Sequence, residues 1–89
     1  MHTLYVILPT AHAGNLEAEE LERLLKLMLR RRDMDFESRS YWDDAEYETE
    51  YGVRLDIDGL CDEHFQRLLG EIVSVTARLY GEIRIQIGD

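Results

Sequence analysis

The sequence predicts an α+β domain in which two amphipathic helices cover one face of a four-stranded antiparallel sheet. Three observations carry that expectation. Two stretches repeat apolar residues at helical spacing, and others cluster or alternate them as strands do. The elements follow one another in the order β-α-β-β-α-β, which returns both helices to the same side of the sheet.

Thr3 to Leu8 mixes β-branched and aromatic residues with apolar character on both parities, the pattern of a central, largely buried strand. Pro9 to Gly14 reads as a loop, and Asn15 as an N-cap for the helix that follows. Leu21, Leu24, Leu25 and Met28 recur at i, i+3, i+4 and i+7, so residues 16–32 form an amphipathic helix. Glu17, Glu19, Glu20 and Glu22 near its start and Arg30-Arg31-Arg32 at its end complement the helix dipole.

Phe36 to Trp42 reads as a strand that turns through Asp43-Asp44. In the next segment Tyr47, Thr49, Tyr51, Val53, Leu55 and Ile57 share one parity, and Glu46, Glu48, Glu50, Arg54, Asp56 and Asp58 the other. One long strand, bulged near Gly52, fits this alternation. After Gly59 a second helix carries Phe65, Leu68, Leu69, Ile72, Thr76, Leu79 and Tyr80 on one stripe, and Gly81 stops it. Ile83, Ile85 and Ile87 then alternate with Glu82, Arg84 and Gln86 as a strand with one wet face. The whole is the ferredoxin-like arrangement, with the second sheet face open unless a partner covers it. The predicted core is Leu21, Leu24, Leu25, Met28, Phe65, Leu68, Leu69 and Ile72.

Composition narrows the functional classes. Eighty-nine residues and a 45% hydrophobic share fit one globular domain spanning 1–89. Cys61 is the only cysteine, so no internal disulfide can form. The N-terminus shows no basic region ahead of an apolar one, and Leu4 to Leu8 is too short for a membrane span. A cytoplasmic location is the expectation, in the host cytoplasm for a phage-encoded chain. Nineteen acids against ten bases give a net charge of −9. That charge opposes direct binding to nucleic acid or to anionic membrane and favours basic partners.

Most candidate chemistry has a plainer explanation. Asp56-Ile57-Asp58-Gly59 lacks the spaced oxygen ligands and closing Glu of a calcium loop. Cys61 and His64 lie three apart at the start of the second helix, but zinc needs two more ligands and Cys61 beside the apolar stripe reads as a buried small residue. No third group orients His64 for a Cys–His nucleophile. His12 stands alone in its loop, and no glycine-rich phosphate loop is present. No catalytic residue, metal or cofactor is expected, and the chain does not read as an enzyme.

The acidic middle is the strongest signal. Asp33, Asp35, Glu37, Asp43, Asp44, Glu46, Glu48 and Glu50 stand against one base, Arg39. Alternate strand residues lie roughly 6.6 Å apart, so Glu46, Glu48 and Glu50 would space their carboxylates much as a nucleic-acid backbone spaces phosphates. Trp42 and Tyr47 offer aromatic anchors. The bland explanation is a charged strand that protects a sheet edge from aggregation.

In size, acid excess and carboxylate pattern the chain resembles the small phage-encoded anti-CRISPR proteins, of which several mimic DNA. The resemblance implies an inhibitor that occludes the basic nucleic-acid-binding surface of a partner such as a CRISPR–Cas effector. Asp43, Asp44, Glu46, Glu48 and Glu50 would meet its Lys/Arg rows, with Trp42 or Tyr47 as anchor. A nuclease-toxin immunity protein is a variant of that reading. The alternative is a small dimeric ligand-binding or enzymatic domain whose open sheet faces enclose a pocket. A continuous acidic face favours the inhibitor; a partly apolar one, with Tyr5 and Ile7, favours the pocket. Monomer and homodimer both remain open.

Overall fold

A computed structural model of the chain describes residues 1–44 and 49–88. Its elements are β1 (His2–Ile7), α1 (Asn15–Arg30), β2 (Asp35–Asp44), β3 (Thr49–Asp58), α2 (Asp62–Tyr80) and β4 (Arg84–Gly88), with one 3-10 turn at Thr10–His12. The strands form one antiparallel sheet in the order β2-β3-β1-β4. This is the ferredoxin-like fold the periodicity predicts. Among the described residues no helix is long and apolar enough to cross a membrane.

The core lies between the sheet and the helices. Leu4 and Val6 of β1 and Val53, Leu55 and Ile57 of β3 are fully buried. Against them pack Ala18, Leu21, Leu25 and Leu29 from α1, and Phe65, Leu68 and Ile72 from α2. The buried stripe of α1 is therefore rotated from the predicted one, leaving Leu24 and Met28 half-buried. The helix is rich in leucine on two adjoining lines, and helical spacing alone does not say which line meets the sheet. Ser38 Oγ donates to Glu22 Oε2 at 2.8 Å and ties α1 to β2. Burial works against ionised Glu22, yet the Ser38 hydroxyl and Lys26 together hold its carboxyl below the ordinary range.

Several boundaries differ from the sequence reading. Asn15 is the first helical residue rather than the cap; Gly14 holds the cap position, and its carbonyl accepts from Ala18 N–H at 3.0 Å. The helix ends at Arg30, and Asp33, in the left-handed region at φ 52°, reverses the chain into β2. β2 runs on through Asp43 and Asp44, which are paired rather than turned. Pairing passes through Gly52 without the expected bulge. Leu79 is exposed in the last turn of α2, where Tyr80 rather than Leu79 packs against the core. Ile87 is exposed on edge strand β4. Cys61 is exposed as well, because it occupies the cap position of α2 ahead of the buried stripe.

Candidate ligand cleft at one end of the sheet

Register assigns the open face residue by residue. Thr3, Tyr5 and Ile7 on β1 stand beside Asp56, Arg54 and Gly52 on β3, and these beside Glu37, Arg39 and Tyr41 on β2. On the other side Tyr5 meets Gln86, and Ile7 meets Arg84 of β4. The face is thus a central band of arginines, aromatics and Ile7, with carboxylates at its two ends. Among the described residues it is not a continuous row of acids.

Those charges are largely matched within the face. Asp56 accepts from Thr3 Oγ1 at 2.6 Å and lies 3.2 Å from Arg54 Nε. The Thr3 hydroxyl, helped by Arg54, holds the Asp56 carboxyl below the usual carboxylate range. The Arg54 guanidinium also sits over the Tyr5 ring, 5.9 Å from its centroid. Arg84 Nη2 donates to Glu50 Oε2, spanning β1 from β4 to β3, and Ile7 beneath is 5% exposed.

Two tyrosines pack close to the sheet because glycines make room for them. A Cβ on Gly52 would stand 3.1 Å from the Tyr41 hydroxyl and 2.4 Å from the Val6 carbonyl oxygen. Tyr5 covers Gly88 in the same manner and meets Tyr41 edge to face, with centroids 5.6 Å apart. Burial pushes the Tyr41 phenol up to about 12, and the Glu50 carboxylate adds to the rise. The folded state keeps this phenol neutral after the unfolded chain would ionise it. Stability from that source is complete below about pH 10 and is lost as pH rises toward 12. In a spectroscopic titration one tyrosinate is expected to form only near pH 12, and Tyr41→Phe should delete that step. A Tyr41→Phe curve that overlays the parent's would place the buried phenol elsewhere.

Beside Glu50 and Arg84 opens a cleft of about 670 Å³. Its walls are Ile7, Leu8 and Pro9 from the end of β1, Val73 and Ala77 from α2, and Ile83 ahead of β4. Glu50, Glu82 and Arg84 bring charge to it. Gly81, with φ of 79°, makes the left-handed turn that brings Glu82 and Ile83 back to the cleft. An apolar concavity of ~300–1,000 Å³ with a few converging polar groups is the form small-molecule sites take.

The residues expected to meet a basic partner are scattered by this arrangement. Glu50 is half-buried and engaged by Arg84. Asp44 accepts from Thr49 Oγ1 at 3.0 Å, and Asp43 pairs across from Glu50. Trp42, Asp43 and Asp44 are exposed at the end of edge strand β2. Glu46, Tyr47 and Glu48 lie outside the described residues. His12 is exposed in the 3-10 turn with its ring against Tyr80, and His64 is exposed on α2. Among the described residues no group of three or more His, Cys, Asp or Glu could hold a metal ion.

Sequence reasoning placed Tyr5, Ile7 and Glu50 on the open face but gave Arg84 no role. The outward parity of Arg84 on the last strand was the available signal. Its meeting with Glu50, 34 residues earlier, depends on which strands lie side by side.

No family model matches the sequence, and no curated protein matches it. Among solved structures, a phage SAM (S-adenosylmethionine) lyase in its apo state is similar, with a TM-score of 0.54 and 16% sequence identity. The likeness covers 99% of this chain and 82% of that one. At this identity it speaks for the fold.

Proposed function

We propose that this chain is a small-molecule protein whose cleft binds S-adenosylmethionine and whose activity is cleavage of that sulfonium, as the name of its structural neighbour indicates for that protein. The observation that carries the reading is the Glu50 carboxylate, engaged by Arg84, on the wall of an apolar cleft of about 670 Å³. The ligand's chemistry suits those groups. Its adenine can lie along Ile7, Leu8, Val73 and Ala77, while its sulfonium charge is drawn to Glu82. A sulfonium leaves as a neutral thioether and takes the bonding pair with it, so sulfur needs no proton, and the carbon it leaves takes its new bond from the ligand's own carboxylate oxygen. The protein's tasks are to orient the ligand, exclude water and balance charge.

A second reading, the acidic inhibitor of a CRISPR–Cas effector, draws on Trp42, which is 60% exposed, with the exposed Asp43 and Asp44 after it. One experiment separates the two. The purified protein is incubated with S-adenosylmethionine, and the ligand's loss and its adenosyl product are followed chromatographically. Consumption of many equivalents per chain is the expected result. Neither binding nor consumption, together with salt-sensitive displacement of DNA from a CRISPR–Cas effector, would replace the first reading by the second.

A further inference from the structure

The Arg84–Glu50 ion pair is unlike the others on the surface. It joins the two strands that flank β1, lies over Ile7, and faces the cleft with both of its partners. The Glu50 side chain is 30% exposed and that of Arg84 is 64% exposed, so the guanidinium can move while the carboxylate is held. A cation and an anion side by side at the rim of an apolar cleft match a zwitterion of the opposite order. We infer that this pair reads the amino-acid end of the ligand: the α-carboxylate takes the place of Glu50 at Arg84, and the α-ammonium takes the place of Arg84 at Glu50. Each charge released from the internal pair finds a new partner, so no carboxylate or guanidinium is left unpaired at the rim. The guanidinium fork suits a planar carboxylate, which a lysine ammonium would hold with less geometric definition. With the amino-acid end at the sheet, the adenosyl end is directed along Leu8, Val73 and Ala77. The substrate class is thereby narrowed to α-amino acids carrying a bulky apolar or aromatic tail. This assignment rests on the small-molecule reading of the cleft.

The test uses two unreactive probes, measured by calorimetry on the whole chain. S-adenosylhomocysteine keeps the zwitterion, and 5′-methylthioadenosine keeps the adenosyl sulfur but lacks the amino-acid end. Arg84→Gln and Glu50→Gln are each expected to weaken S-adenosylhomocysteine by roughly 10- to 100-fold. Methylthioadenosine should bind all forms alike, and Arg84→Lys should fall between parent and Arg84→Gln. Thermal melts confirm that each variant is folded. Unchanged or tighter binding of S-adenosylhomocysteine to Arg84→Gln would overturn the inference, because Arg84 would then be a competitor for the site. Equal losses for both probes would also overturn it, since the pair would be shaping the cleft. A parent chain that binds neither S-adenosylhomocysteine nor S-adenosylmethionine would instead remove the small-molecule reading, and this assignment with it.

Discussion

Gly52→Ala is expected to destabilise the fold by about 1–3 kcal/mol, the usual cost of forcing a methyl into a packed site. The added carbon would stand 2.4 Å from the Val6 carbonyl oxygen. That atom belongs to the backbone of the central strand, which is paired on both sides and cannot swing away as a flexible side chain would. The Tyr41 hydroxyl at 3.1 Å is the second obstacle. Its displacement should let water reach the phenol and bring its ionisation down from about 12 toward the ordinary value. Denaturant unfolding and the tyrosinate titration therefore move together. A variant as stable as the parent, with the high-pH tyrosinate step intact, would show that β1 and β3 adjust freely at this point. The close approach would then not be the reason for glycine.

Leu68→Ala should cost more, roughly 2–5 kcal/mol, from lost transfer energy and from the cavity left behind. Leu68 is 2% exposed and belongs to the cluster joining α2 to the sheet. The effect should appear as a lower denaturant midpoint with little change in slope. A small domain has only about 5–15 kcal/mol of net stability, so this one substitution could bring the chain near unfolding at room temperature. A loss below about 0.5 kcal/mol would mean that the α2 stripe does not face the core. The contrast with Leu79 is a control within the same helix. Leu79 shares its chemistry and nearly its helical phase, but it is 58% exposed, so Leu79→Ala should change little.

The neighbouring solved structure bears on the functional reading through its name alone, and the charge layout bears on it directly. A mimic of nucleic acid needs unpaired carboxylates facing one way. Here Asp56 is matched by Thr3 and Arg54, and Glu50 by Arg84, while Arg39 and Arg54 stand side by side on the same face. Among the described residues the open sheet therefore does not gather the excess of acids. The net charge of −9 still favours an approaching cation, which serves a sulfonium ligand as well as it would a basic protein.

Local pattern was enough to determine the order of elements, the antiparallel ferredoxin-like sheet, and the parity that sends Val53, Leu55 and Ile57 inward and Arg54 and Asp56 outward. Those features depend on periods of 2 and 3.6, which a chain displays without folding. Which leucine line of α1 meets the sheet, why Leu79 of the α2 stripe is left exposed, and why residue 52 is glycine were decided only when the elements packed. The cleft belongs to the same group. Ile7, Glu50, Val73 and Arg84 come from four different elements, and their meeting follows from the strand order β2-β3-β1-β4. Glu50 illustrates the difference most clearly. By parity it is an outward acid in a row of acids, but β4 lies against β1 and supplies Arg84, whose charge removes Glu50 from that row and turns it toward a cleft.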